Sequence, residues 1–244
     1  MKTLVFTFDD GIHTHHSLVR PLFKKHGLTG TFFIPGHRTM WLKPPQNCPE
    51  NEGKDLRERA LSWREVRELN VDGFEIGNHT WQHIDFGYGG YSKKARTDQI
   101  ERLESHFEML KIPPSTTFCY PGYSCSPPAA KFLTGYGFKF ARAGYVGGPS
   151  KGPLVENRPE NRRKVRYYRP GQTDPMYVPS TGILNDWYTL DNFKEDLEGT
   201  PEGCVAVFTA HGFARKSRWK TFKQIIKYVT KKKYHVIKFR DMPL

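Results

Sequence analysis

The chain has 244 residues, of which 37% are hydrophobic and 14% aromatic. This composition is typical of a folded globular protein and excludes a disordered chain. No apolar stretch approaches the roughly 18 residues of a transmembrane helix, so we expect no membrane span. The first predicted strand begins almost at Met1, without a signal peptide, and we therefore expect a cytoplasmic protein.

The net charge of +13 is large and unevenly distributed. Residues 151–169 contain seven basic and two acidic side chains, and residues 215–240 contain eleven basic side chains and no acidic one. Such a field attracts polyanions, which makes an anionic sugar a reasonable substrate, although we expect no nucleic acid partner. The alternative is a solvated helix face on which the charges serve solubility. The four cysteines have no CxxC spacing, which argues against a structural zinc site, and the oligomeric state stays open.

The first predicted element is a strand from Leu4 to Phe8, whose aliphatic and aromatic residues indicate burial on both faces. Two adjacent carboxylates, Asp9 and Asp10, stand where this strand ends, and Gly11 allows the backbone to turn sharply. A buried pair of like charges is costly unless a cation or a proton compensates it. The alternative is an ordinary polar turn.

Short apolar runs and helical patterns alternate along the rest of the chain. Further strands are predicted at 29–34, 74–77, 116–120, 138–141, 165–168, 205–209 and 235–239. Helices are predicted at 21–25, 62–69, 92–110, 127–133, 190–197 and around 222–229, and long loops at 37–60 and 143–180. Ser62 and Glu65 form a predicted capping box. The alternation predicts an α/β fold with a parallel sheet, open or closed into a barrel, in a single domain spanning residues 1–244.

Residues capable of chemistry follow several of these strands. Asp9 and Asp10 follow the first strand, His79 and His83 the third, and His211 a late one. In a parallel barrel these strand ends converge on one face. Imidazoles four residues apart share one side of a helical turn, so both can reach one ion, and Asp10 would add an oxygen ligand. Three ligands with an open position are typical of catalytic zinc, whereas the alternative is a pair of surface histidines.

Three motifs resemble those of the NodB-type polysaccharide deacetylases, carbohydrate esterase family 4. They are Thr7-Phe8-Asp9-Asp10-Gly11, His79-Thr80-Trp81-Gln82-His83 and Thr209-Ala210-His211-Gly212, and Thr31-Phe32-Phe33 is also similar. The resemblance runs from Lys2 to about Met242. It implies a distorted (β/α) barrel of about seven parallel strands and a divalent metal, most often zinc. It also implies removal of acetyl groups from an N-acetylated sugar in a polysaccharide, oligosaccharide or glycoconjugate.

The resemblance also implies a role for each matching residue. Asp10, His79 and His83 become the metal ligands. Asp9 becomes the general base that takes a proton from water, and His211 becomes the acid that protonates the leaving amine. These roles are chemically consistent, because a metal ion acidifies water and polarises a carbonyl while the base and acid move the protons.

The third motif departs from the family pattern, which has an arginine that pairs with the catalytic base. The matching stretch is Phe118-Cys119-Tyr120-Pro121-Gly122-Tyr123, without an arginine. Our hypothesis is that Arg142, at the end of the next strand, supplies the cation. Gly122 stands where the family uses a backbone N–H for the oxyanion, and glycine can still donate it.

Further site residues are predicted with less support from the sequence. Asp186 and Trp187 match the fourth motif by their distance from His211, and Tyr123 and Trp81 are aromatic surfaces on which a sugar could stack. Two other functions stay open. One is an amidohydrolase for a small non-sugar amide or imide, and the other is a polyanion-binding module with a vestigial site.

Overall fold

The computed structural model describes residues 1–39, 59–144, 167–183, 188–213 and 215–244. Its strands are β1 (Thr3–Phe8), β2 (Thr31–Ile34), β3 (Glu75–Asn78), β4 (Thr117–Cys119), β5 (Phe140–Arg142), β6 (Tyr167–Tyr168), β7 (Thr181–Gly182), β8 (Val205–Ala210) and β9 (His235–Ile237). Its α-helices are α1 (Arg20–His26), α2 (Gly36–Thr39), α3 (Trp63–Val71), α4 (Lys93–Met109), α5 (Pro127–Tyr136), α6 (Leu190–Glu198) and α7 (Lys216–Lys232). A π-helical turn, His15–Val19, precedes α1, and 3₁₀ turns occur at Pro121–Tyr123, Pro175–Tyr177 and Phe239–Asp241.

The predicted strands and helices are confirmed, with ends that shift by a few residues. The structure adds α2, β7 and the π-helical turn, which the sequence pattern did not indicate. Most of the predicted loop at 37–60 and part of that at 143–180 lie outside the described residues. No helix in the described ranges is long and apolar enough to cross a membrane.

The strands form one curled sheet. Neighbouring strands follow the order β5-β4-β3-β2-β1-β8, and all of these pairs are parallel. Strands β7 and β9 add parallel pairings to β8 and β1, whereas β6 is antiparallel to β8. The two sides of the sheet meet at Val178, which donates to the Ala141 carbonyl (2.9 Å) and accepts from the Ala143 N–H (2.8 Å). Because Val178 leads into β7, these bonds close the predicted distorted (β/α) barrel.

Strand β1 lies at the centre of this sheet and is buried on both faces. Leu4, Phe6 and Phe8 point outward and pack with residues of the surrounding helices, whereas Val5 belongs to the cluster that fills the barrel. All four side chains are inaccessible to solvent, and each contributes about 1.5–3 kcal/mol by burial. Successive side chains of a strand point to opposite faces of the sheet, so β1 also sets the side-chain direction of the residue that directly follows it.

The capping box at the start of α3 supports the turn that follows β1. The Glu65 N–H donates to Ser62 Oγ (3.3 Å), the Ser62 N–H donates to Glu65 Oε2 (2.8 Å), and Arg59 donates to both Glu65 oxygens. Burial raises the pKa of Glu65, but its hydrogen bonds to Arg59 and Ser62 outweigh this and lower the pKa to about 2. The adjoining Leu61 N–H donates to the Gly11 carbonyl (2.7 Å), which ties this charged cluster to the turn.

Candidate active site

Asp9 and Asp10 leave β1 in different directions because the backbone turns between them. Asp10 has φ +70° and Gly11 has φ +57°, so two consecutive residues adopt the left-handed conformation. Aspartate tolerates this conformation better than most side chains, and glycine adopts it without strain. Asp9 keeps the inward direction of Val5 and is only 2% exposed. The carboxylate of Asp10 faces the histidines that follow β3.

His79 and His83 follow β3, but the segment between them is not helical. Thr80 and His83 have φ values of +63° and +54°. Asn78 Oδ1 accepts from the Thr80 N–H (2.9 Å), and Thr80 Oγ1 accepts from the Ile84 N–H (3.2 Å). The predicted helical turn is therefore wrong, although the two imidazoles do converge, with their ring centroids 4.8 Å apart.

Helix α4 holds this turn in place through Gln99. Its side chain accepts from the Gln82 N–H and donates to Gln82 Oε1, both at 2.8 Å, and its carbonyl accepts from the Trp81 N–H (3.0 Å). Trp81 is only 2% exposed and stacks on Trp63. The suggestion that Trp81 presents a surface to a sugar is therefore wrong.

Asp10, His79 and His83 form a set of three potential metal ligands. One ligand atom from each lies within 4.8 Å of the others, and the Nε2 atoms of His79 and His83 are 3.5 and 3.2 Å from Asp10 Oδ1. His79 Nδ1 donates to the Cys119 carbonyl (2.8 Å), which leaves its Nε2 lone pair facing the carboxylate.

The protonation of this set also fits a metal ion. Burial lowers the pKa of His79, which favours the neutral imidazole that metals require. Burial raises the pKa of Asp10, but the nearby imidazoles of His79 and His83 outweigh this and hold the pKa well below its usual range. Two nitrogen donors and one carboxylate leave coordination positions open, so the three residues fit a catalytic divalent ion.

Asp9 forms a buried ion pair with Arg142. Because Phe140 belongs to the cluster inside the barrel, Arg142, two residues later on β5, also points inward, and it is inaccessible to solvent. Its Nη2 donates to Asp9 Oδ2, and its Nη1 donates to Ser180 Oγ (3.0 Å). Burial opposes the charge, but the Asp9 carboxylate raises the pKa of Arg142 above its usual value. Our hypothesis that Arg142 supplies the cation beside Asp9 requires this contact between the two side chains.

Cys119, in the stretch that matches the third motif, lies directly beside this ion pair. Cys119 and Arg142 are direct partners in the register of β4 and β5. The Cys119 Sγ lies 2.6 Å from Arg142 Nη2 and 3.9 Å from Asp9 Oδ1, and burial raises the pKa of the thiol well above its usual value. A small uncharged side chain at this position thus leaves space for a guanidinium from the next strand.

His211 completes the group at the end of β8. Its Nε2 atom is 3.8 Å from Asp9 Oδ2 and 3.9 Å from Asp10 Oδ2, and its side chain is 47% exposed. A half-exposed imidazole between two carboxylates can exchange protons with a bound molecule and with solvent. The structure therefore brings together all five of the principal predicted residues: Asp9, Asp10, His79, His83 and His211.

Residues 1–141, more than half of the chain, match the family model described as polysaccharide deacetylase. The chain belongs to the polysaccharide deacetylase family. It is 27% identical over 145 residues to a chitin deacetylase from Pestalotiopsis sp., a match that covers 58% of this chain and 41% of the relative. It is 30% identical over 112 residues to the peptidoglycan-N-acetylmuramic acid deacetylase PdaA of Bacillus subtilis strain 168, covering 46% and 34%. The matches thus span less than half the length of these relatives.

A solved structure shares the fold of this polysaccharide deacetylase family member. It is a family 4 acetyl xylan esterase from Clostridium thermocellum in complex with a cobalt ion. The TM-score is 0.59 at 15% sequence identity, and the alignment covers 98% of this chain and 89% of the esterase. The resemblance to carbohydrate esterase family 4 and the predicted barrel are confirmed.

His15 lies beside the site, as its place in the sequence suggests, but the sequence indicated no role for it. It is fully buried, its Nδ1 accepts from the Ile12 N–H (3.3 Å), and its Nε2 donates to the His211 carbonyl (3.1 Å). Burial lowers the pKa of His15 to about 4, so the ring is neutral, with one accepting and one donating nitrogen. Thr14 Oγ1 also accepts from the Phe213 N–H (3.0 Å). The segment after β1 therefore holds the loop that carries His211.

Four further residues were predicted to belong to the site, and the structure describes two of them, Gly122 and Tyr123. Gly122 is exposed with φ +59°, and a Cβ added there would meet no atom within 4 Å, so the surface is open at this backbone. The ring of Tyr123 lies 5.0 Å from the Arg142 guanidinium carbon, and burial raises the pKa of its hydroxyl. Asp186 and Trp187 lie outside the described residues.

The ligand geometry predicts about one divalent metal ion per chain, and zinc is the probe: uptake after reconstitution with zinc is measured by elemental analysis and by titration. Replacing His79 or His83 with alanine should weaken zinc binding by about 100-fold or more, since loss of a mere supporting residue already costs 10–100-fold. His83 is the safer variant for folding, because its side chain is 29% exposed.

His235→Ala serves as the matched control, because His235 is exposed on β9, which pairs with the start of β1 and not with the end that leads to Asp9 and Asp10. This variant should bind zinc like the unmodified protein. A folded protein that takes up no added zinc would contradict the assignment, as would equal losses in the control.

Proposed function

We propose that this protein is a zinc-dependent hydrolase that removes N-acetyl groups from an N-acetylated sugar unit. The observation that carries the proposal is the convergence of a three-ligand set, a carboxylate paired with a buried arginine, and an imidazole within 4 Å of both carboxylates. Hydrolysis of an amide needs an activated water, a base and an acid, and this group of residues can meet all three needs.

Asp10, His79 and His83 would hold the metal ion. When bound there, a divalent ion supplies positive charge that acidifies water and polarises the amide carbonyl. His79 is held for this role by its bond to the Cys119 carbonyl. Zinc is the proposed ion because two imidazoles and a carboxylate with open positions match its catalytic sites.

Asp9 would act as the general base. Its Oδ2 bonds with Arg142 and accepts from Thr209 Oγ1 (3.3 Å), which fixes the orientation of the carboxylate. Asp9 takes a proton from the attacking water as the oxygen–carbon bond forms at the acetyl carbonyl. Arg142 balances the charge of Asp9 before the reaction, so no side chain has to move into place.

His211 would act as the general acid. As the carbon–nitrogen bond breaks, the imidazolium donates its proton to the amine nitrogen, and the products are acetate and a free amino sugar. The backbone N–H of Gly122 is the proposed donor to the developing oxyanion, because the surface beside it is open.

The relatives support an N-acetylated glycan as substrate. The two curated relatives bear the names of a chitin deacetylase and a peptidoglycan-N-acetylmuramic acid deacetylase. Exposure of His211 further supports a large substrate, since a polymer can approach a half-exposed side chain.

The proposed roles predict acetate release from N-acetylglucosamine oligomers or peptidoglycan strands by the zinc-loaded protein. Asp9→Asn and His211→Ala should each lower kcat by about 10²–10⁴-fold, the usual contribution of a general base or acid. Zinc content should stay unchanged, because neither residue is a ligand. Turnover of small non-sugar amides with no activity on any N-acetylated sugar would contradict the proposal.

Arg142 should be needed for turnover and not for zinc binding. Arg142→Lys keeps a buried cation but loses the planar guanidinium, so we expect kcat to fall about 10–100-fold with zinc content intact. Arg142→Ala should be more severe and also less stable by about 3–5 kcal/mol, because it leaves Asp9 buried without its partner. Arg169→Lys on the exposed surface is the control. Unchanged kcat in Arg142→Ala would refute the hypothesis.

His15 should act on turnover through the position of His211. His15→Phe keeps a ring against Phe8 and Phe32 but loses both hydrogen bonds, and kcat should fall about 10-fold or more with KM and zinc content retained. His15→Gln can restore the donor to the His211 carbonyl and should recover most of the activity. Equal kcat in His15→Phe and His15→Gln would show that His15 only fills space.

A further inference from the structure

Helix α7 presents a continuous row of positive charge. We define its lysine face as five exposed residues: Lys216, Lys220, Lys223, Lys227 and Lys231. Their spacing of four, three, four and four residues places all five within one narrow stripe of the helix. At 1.5 Å per residue the stripe is roughly 22 Å long.

The charges of the lysine face have no acidic partners in the described part of the chain. Residues 215–240 contain no aspartate or glutamate, and the first turn of α7 holds no acid. Lysine pairs at these spacings repel each other and destabilise an isolated helix. Surfaces that only need solubility usually mix both signs of charge, so this unmixed row is an unfavourable arrangement that a bound polyanion would relieve.

The position of α7 connects this face with the catalytic group. Helix α7 follows β8, and Lys216 is five residues after His211, a separation of at most about 18 Å for extended chain. The opposite side of the helix packs in the core through Phe222, Ile225 and Val229. The lysine face therefore begins near the active site and runs along the outside of the barrel.

We propose that the lysine face binds an anionic glycan chain, with carboxylate or phosphate groups at intervals, and leads its N-acetylated units to His211 and the metal site. The second half of this proposal rests on the proposed function. The buried apolar side of α7 argues against a membrane, since no apolar face is left to insert.

The aromatic residues of α7 favour a glycan over a single-stranded nucleic acid. Binding of single strands uses aromatic side chains on which bases stack. Trp219 packs against Phe213 and Phe222, and its ring also lies 5.9 Å from Lys223 Nζ. Tyr228 donates to Glu198. Both rings are thus already engaged by other residues of the chain. The five residues of the lysine face itself include no aromatic.

Binding of a labelled oligogalacturonate, which carries carboxylates but no acetamide, tests the lysine face without catalysis. In Lys220→Gln/Lys223→Gln/Lys227→Gln the Kd should rise about tenfold or more, and the slope of log Kd against log salt should fall by about two. The control variant is Lys93→Gln/Lys131→Gln/Lys139→Gln, which removes the same charge from exposed lysines elsewhere. Its Kd should stay within about twofold of that of the unmodified protein. Equal losses in both variants, or no binding by the unmodified protein, would overturn the proposal.

Kinetics separate this proposal from the proposed function. On hyaluronan oligomers, which are both N-acetylated and carboxylated, the lysine-face variant should have a KM about tenfold higher with unchanged kcat. On neutral chitin oligomers both constants should be unchanged. Oligogalacturonate binding without acetate release from any sugar would refute the deacetylase function and leave the binding surface standing. Tighter binding of duplex DNA at equal charge concentration through the same lysines would overturn the glycan assignment.

Discussion

The buried ion pair between Asp9 and Arg142 is the interaction on which the rest of the site depends. Two adjacent carboxylates at the end of a buried strand need separate compensation, because neither can rely on solvent. Asp9 has a guanidinium inside the barrel, whereas Asp10 turns away towards two imidazoles. The left-handed conformation of Asp10 produces this division, since it reverses the direction of the chain between the two carboxylates. Neighbouring residues of like charge thereby serve different chemistry.

The ion pair also requires the barrel to close. Strands β1 and β5 are separated by three strands in the sheet, so a flat sheet would keep their ends far apart. The bonds of Val178 to β5 close the barrel on that side, and Arg142 then reaches Asp9 across the interior. Ser180, two residues beyond Val178, accepts from Arg142 Nη1 and donates to the Ala143 carbonyl. The segment that closes the barrel thus also orients the guanidinium of Arg142.

Much of the fold and of the candidate site could be predicted from the sequence, because the sequence patterns that indicate them involve residues close together in the chain. Buried strands produce apolar runs, and the capping box and glycine turns follow short-range rules, so most elements could be predicted, as could the proximity of the five principal residues. The convergence of His79 and His83 was predicted from a helical turn, but Asn78 and Gln99 hold the segment between them in a nonhelical turn. Strand β7 has two residues and the closure at Val178 is a single bridge, so neither leaves a periodic pattern. His15 shares its stretch with His13 and His16, and only the fold distinguishes it, because its ring alone reaches the loop of His211.

Backbone strain indicates how rigid this arrangement is. Six non-glycine residues in the described ranges have positive φ, and four of them, Asp10, Thr80, His83 and Tyr123, belong to the site or its turns. Such conformations persist only where the surroundings determine them. Here the segment before α3, helix α4 and the π-helical turn supply hydrogen bonds to the turns after β1 and β3. We therefore expect the proposed ligands and the proposed base to be fixed before any substrate binds, which would favour the transition state. His211 is the most exposed of the five principal residues, and His15 holds its loop by a hydrogen bond, so the proposed acid would keep its position while it contacts a large substrate.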